Sequence, residues 1–130
     1  MSGLIQSIDH FVLTVADIDA TVAFYTRHLG MEAVTFGAEG RRALAFGRQK
    51  INLHQAGAEF TPRARTALPG TGDFCLLSDV PVEETAERLR AAGIEIEVGP
   101  VAKTGAEGPL RSIYIRDPDG NLVEVASYAG

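Results

Sequence analysis

The chain carries its own pattern twice. The run IDHFVLTVADIDATVAFYTRHLGMEAV, from Ile8 to Val34, is echoed by GDFCLLSDVPVEETAERLRAAGIEIEV, from Gly72 to Val98. From 10 to 73 is 63 residues, and from 30 to 93 is again 63. The ends of the copies correspond as well. ALAFGRQKINLH (Ala43 to His54) matches IYIRDPDGNLVE (Ile113 to Glu124) at a separation of 70, which implies a seven-residue insertion in the second copy. A duplicated sequence specifies a duplicated supersecondary unit, and this restricts the fold more than any local motif does.

Each copy reads as a strand, a helix and three strands. Ile8 to Val15 is rich in β-branched and aromatic residues, the composition of a strand. Asp17 is placed to cap a helix whose apolar residues Ile18, Val22, Tyr25 and Leu29 recur at helical spacing, and Gly30 is placed to end it. Met31 to Phe36, Arg42 to Phe46 and Ile51 to His54 complete copy one. In copy two, Asp73 to Leu77 is a strand. Pro81 sits at the first helical turn, Val82, Ala86 and Leu89 form the apolar stripe, and Gly93 ends the helix. Ile94 to Val98, Leu110 to Ile115 and Asn121 to Ser127 are the remaining strands, with DPDG (Asp117 to Gly120) as a turn. Gln55 to Thr71 and Gly99 to Pro109 read as loops. The expected class is therefore α+β. Two tandem βαβββ modules, about 5–55 and 72–128 with a linker at 56–71, make one domain of 130 residues whose curved mixed sheets surround a cleft.

Composition narrows the partners. Net charge is −5 without a basic cluster, which argues against nucleic acid and anionic membranes. Apolar runs are too short to span a bilayer, and no signal-peptide pattern opens the chain. The single Cys75 excludes an internal disulfide and fits a reducing compartment. A cytoplasmic location is expected, with Cys75 as a small buried hydrophobe. His28 closes a helix, where partial positive charge suits the dipole.

Four polar residues stand where strands should be apolar: His10, His54, Asp73 and Glu124. His10 and Asp73 correspond in the repeat, and at the separation of 70 so do His54 and Glu124. Pairing of the copies is expected to gather them. Two imidazoles with one or two carboxylates suit one divalent transition metal, whether Zn, Ni, Fe, Mn or Co. Open coordination positions would make such an ion catalytic. The expected ligands are His10, His54 and Glu124. Glu124 is the candidate proton-transfer base and Asp73 its reserve. Arg63, Arg65 or Arg111 could pair with a substrate carboxylate, and Tyr25, Phe46, Phe74 and Tyr114 offer aromatic surface.

Four stretches, DHFVLTVADIDATVAFYTRHLGM (9–31), INLHQ (51–55), AAGIEI (91–96) and YIRDPDGNLVEV (114–125), resemble the vicinal oxygen chelate superfamily, also called the glyoxalase/bleomycin resistance/dioxygenase superfamily. Among its members the chain is most similar to small glyoxalase-domain proteins that include a virulence-associated branch. The resemblance implies paired βαβββ modules, a homodimer, a metal where modules meet, and a small-molecule substrate chelated through neighbouring oxygens. By position it matches His10, His54 and Glu124 to family ligands, with Asp73 in the fourth place. Carboxylate and histidine are exchanged at His54 and Asp73 relative to glyoxalase I, and Asp73 stands where extradiol dioxygenases and fosfomycin-resistance members carry histidine. The leading expectation is a metal-dependent lyase or isomerase acting on a carbonyl compound or its thiol adduct through an enediolate. The alternatives are an Fe(II) extradiol-type dioxygenase and an antibiotic-binding protein without turnover.

Overall fold

A computed structural model describes residues 3–129. It divides into two compact units between Pro69 and Gly70. Each unit is one βαβββ module, so the α+β class and the duplication are both present.

In the first module, β1 (His10–Val15), β2 (Glu32–Phe36), β3 (Arg41–Phe46) and β4 (Gln49–Gln55) form a sheet in the order β1-β4-β3-β2, with α1 (Ile18–Leu29) packed on one face. The helix begins where the sequence places it. Asp17 Oδ1 accepts the Ala20 N–H, and Gly30 ends the helix in the left-handed conformation, which glycine adopts without steric penalty. Leu13, Val15, Leu44, Ile51 and Leu53 alternate onto the helix-facing side of the sheet and are buried there, as is Tyr25 from the helix. Burying a side chain of this size contributes about 1.5–3 kcal/mol each.

The second module repeats the plan. β5 (Asp73–Leu77), β6 (Val98–Gly105), β7 (Gly108–Arg116) and β8 (Leu122–Tyr128) are ordered β5-β8-β7-β6, and α2 (Val82–Ala91) covers one face. Val82, Ala86 and Leu89 meet the sheet, where Ile113, Ile115, Val123 and Val125 are buried. In each module the N-terminal strand runs parallel to the last one and the other pairings are antiparallel.

One segment departs from expectation. Ile94 to Glu97 is not strand, and Gly99 to Pro109, expected as a loop, supplies most of β6 and the start of β7. Its glycines and prolines mask a hairpin, since Gly105 pairs with Gly108 across a two-residue turn and Lys103 pairs with Leu110. A register shift between Val98 and Val101 accommodates Gly99 and Pro100. Gly99 is required at that shift. Its φ is +106°, and a Cβ there would stand 2.3 Å from the Ser112 carbonyl oxygen. Gly99→Ala is expected to lower stability by at least ~3 kcal/mol, combining backbone strain with a backbone clash. Gly37→Ala, with positive φ but nothing within 4 Å, should lose about 1–2 kcal/mol. Chemical denaturation of the two variants measures the difference.

Candidate functional site

Both modules leave one sheet face without a helix, and the four polar candidates His10, His54, Asp73 and Glu124 all lie on these faces. Strand alternation assigns the faces. In module one, Arg42 and Gln55 reach α1 from the covered face through Asp19 and the Ile18 N–H. His10, Val12 and Thr14 therefore look the other way, with their ladder partners Lys50, Asn52 and His54. In module two, Ser127 and Arg111 bond to Val82 N–H and Glu83 of α2. Asp73, Cys75, Glu124 and Tyr114 are on the opposite, open face.

The ladders correct the repeat. Cys75, the counterpart of Val12 at the separation of 63, pairs with Glu124, whereas Val12 pairs with Asn52. From 52 to 124 is 72, so Asn52 is the positional twin of Glu124. His54, two residues further along β4, pairs with Thr14. The separation of 70 aligned NLH with LVE across loops of unequal length. Phe46 to Gln49 closes in a two-residue turn, while Arg116 to Leu122 spans five. His10 and His54 are four ladder steps apart, about 13 Å along the strand, and the fold does not bring them together. Among the described residues no three His, Cys, Asp or Glu side chains converge as a metal cluster.

Each site residue has a distinct setting. His10 opens β1 and is exposed, with Nδ1 at 2.7 Å from Asp9 Oδ1. That bond fixes the ring with Nε2 free, the arrangement seen in metal-binding histidines whose other nitrogen is held by a carboxylate. Asp73 is exposed at the start of β5. Glu124 is half-buried between Cys75 and Tyr114 on the neighbouring strands. The Cys75 thiol is pushed up to about 11 by partial burial and then by the Glu124 charge and hydrogen bond. Tyr114 is raised by the same causes in the same order, and both stay protonated at neutral pH. Cys75 is exposed as a residue although its sulfur is partly covered, so it is not the core hydrophobe expected. It faces away from α2.

His54 is buried, edge-on to Phe60, and its Nδ1 has no hydrogen-bond partner. The Oδ1 of Asn52 is likewise buried and unpartnered. Burial first, then the nearby Arg41 charge, lower the His54 pKa below 6.5. Of the three arginines singled out, Arg111 is committed to Glu83 on the helix side, and Arg63 and Arg65 are exposed. Of the four aromatics, Tyr25, Phe46 and Phe74 lie on the helix side, and only Tyr114 is on the open face. Two aromatics absent from the sequence reading, Phe36 and Phe60, do line the open face of module one. There Lys50 Nζ sits 3.6 Å from the Phe36 ring centre and Arg41 Cζ sits 4.1 Å from that of Phe60. Cross-strand register was the signal that could have found them.

The DPDGN turn positions Asp73. Asp117 Oδ1 accepts the N–H groups of Asp119 and Asn121, and its Oδ2 accepts Asn121 Nδ2–H. Asn121 Oδ1 then accepts the Gly72 N–H at 2.7 Å, and Gly72 C=O accepts the Leu122 N–H. The residue before Asp73 is thereby tied to the residue before β8. Asn121→Ala removes the acceptor of the Gly72 N–H and the amide donor to Asp117 Oδ2, so a loss of about 2–4 kcal/mol is expected by denaturant titration.

The shift at His54 sets a pH dependence. Above 6.5 the imidazole is neutral folded or unfolded. Below 6.5 the unfolded chain takes the proton first, so stability falls as pH drops toward the lower folded value. Between about pH 7.5 and 5.5, Tm of chelator-treated wild type should fall more steeply than Tm of His54→Gln.

Comparisons with known proteins place these features. The family profile described as the glyoxalase/bleomycin resistance protein/dioxygenase superfamily matches residues 7–125. Virulence protein STM3117 of Salmonella typhimurium is 51% identical over 125 residues, 96% of this chain and 86% of that protein. Its crystal structure superposes with a TM-score of 0.94 at 50% identity, covering 98% of this chain and 100% of that one. A glyoxalase domain-containing protein of Mycosarcoma maydis, RDO1, is 51% identical over 95% of this chain and 69% of its own length. Lactoylglutathione lyase of Agrobacterium tumefaciens is 31% identical with a TM-score of 0.70, over 93% and 92% of the two chains.

Proposed function

Because the chain belongs to the glyoxalase/bleomycin resistance protein/dioxygenase superfamily, we propose that it is a divalent-metal-dependent lyase or isomerase acting on a small carbonyl compound or its thiol adduct. The observation that carries this reading is the setting of Glu124. It is a half-buried carboxylate on a helix-free face, bracketed by Cys75 and Tyr114, with no cation within ion-pair distance among the described residues. A strand carboxylate so placed is stabilised by a bound cation or by a proton it exchanges with substrate.

The donor set fits a first-row divalent ion. His10, oriented by Asp9, and Glu124 are the proposed ligands. His54 stands too far along the ladder to share an ion with His10, so Asp73, the repeat counterpart of His10, is proposed as the third. When bound, the ion polarises a carbonyl and offsets negative charge on neighbouring oxygens. The proton moves through the chain's own groups. Glu124 accepts it from the carbon beside the carbonyl and returns it to the adjacent carbon. The Tyr114 hydroxyl and Cys75 thiol, protonated at neutral pH, hold the carboxylate in place. We propose further that the protein works as a homodimer in the cytoplasm.

The test is metal analysis of purified wild type, His10→Ala, His54→Ala and Glu124→Gln, followed by turnover of the methylglyoxal–glutathione hemithioacetal. About one equivalent of metal per chain is expected in wild type, lost in His10→Ala and kept in His54→Ala. Glu124→Gln should lower kcat/KM by roughly 10²–10⁴. Wild type that takes up no Ni, Zn, Fe or Mn would sink this reading. It would favour binding without turnover.

A further inference from the structure

The open face of module one carries cations that the proposed reaction does not use. Lys50 stands directly across the ladder from His10. No carboxylate lies within ion-pair distance of it among the described residues. Its ammonium rests over Phe36, and the two side chains reach each other across a floor of small residues, Ala43 and Ala45. Beside them Arg41 lies over Phe60, and Phe60 meets the edge of His54. His54 is 6% exposed with an unpartnered Nδ1. The acidic groups near this face are Asp9, which holds His10 at 2.7 Å, Glu39, which meets Arg41 at 3.3 Å, Glu59, and Glu32 on the far side of Ala45. None of them pairs with Lys50.

A cation stacked on an aromatic ring keeps its charge while its hydration is reduced. It is pre-positioned for a ligand anion and loses little conformational entropy on binding one. An exposed lysine serving only solubility has no need of such a holder.

We infer that Lys50, backed by Arg41, is the specificity-determining anion site of this protein, and that the substrate is a carboxylate-bearing carbonyl compound with a flat apolar part. The inference rests on the reading above for the presence of reacting oxygens on the substrate; the Lys50 ammonium itself lies over Phe36, whose ladder partner is Arg41. In this arrangement the substrate's carboxylate meets the Lys50 ammonium and its flat portion lies against Phe36 and Phe60. A neutral dicarbonyl would leave the ammonium without a partner and bind less tightly.

The probe pair is benzoylformate and its methyl ester. They share ring and vicinal oxygens but differ in one negative charge. Binding is measured by calorimetry and by amide chemical shifts, on chelator-treated and on Mn(II)-loaded wild type, Lys50→Met, Lys50→Glu and Arg41→Met; the shifts are read on the chelator-treated samples. Folding of each variant is checked by circular dichroism. Wild type should prefer the acid over the ester by about tenfold, with shifts at Lys50, Asn52 and Arg41. Lys50→Met should remove the preference and Lys50→Glu should reverse it. Equal affinity for the two probes in wild type, a preference that survives Lys50→Met, or binding of neither probe overturns the inference. Loss of metal uptake with the charge preference intact would instead remove the lyase reading and leave the anion site standing.

Discussion

A carboxylate and an amide at one hairpin hold the second module's open face in shape. Asp117 closes the turn on itself through two backbone N–H groups, and Asn121 converts that closed turn into a clamp on Gly72. Both side chains are almost fully buried, so their polar atoms depend on one another rather than on water. Among the described residues β5 pairs only with β8 in its sheet, and the clamp sets the point at which their pairing begins. Asp73, Cys75 and Glu124 take their mutual positions from that starting point.

Much of this was legible in the chain. The helix ends could be read because their signals are local and steric, as at Asp17, Gly30 and Gly93. The core could be read because helical and strand periodicities are unambiguous around Tyr25, Leu44, Val82 and Val123. The β6–β7 hairpin was hidden because Gly99, Pro100, Gly105, Gly108 and Pro109 carry loop signals. There, pairing across the strands overrides local preference.

The candidate site was legible by residue type and illegible by register. His10, Asp73 and Glu124 stood out as charge in strand surroundings, and each lies on an open face. His54 stood out equally well, yet a two-residue turn in one copy and a longer one in the other moved it two steps along the ladder. Alignment across a hairpin is only as good as the loop-length assumption within it. Asn52, neutral and unremarkable in sequence, occupies the ladder position that corresponds to Glu124. Lys50 escaped notice for a related reason, since what singles it out is a neighbour across the sheet.

The division between covered and open faces separates what folds the chain from what could work in it. Leu13 and Ile51 in the first module, and Leu89 and Ile113 in the second, fill each module's own core on the helix side. The residues with chemistry add little to that core. Asn52 and Glu124 illustrate the result: two halves share one backbone plan while presenting an amide on one and a carboxylate on the other. Such a scaffold can exchange donors with little penalty to folding. Ligand type, metal preference and reaction can therefore drift by single substitutions while the architecture stays fixed, so that shared ancestry fixes where chemistry occurs in this fold and leaves its nature to a handful of open-face positions.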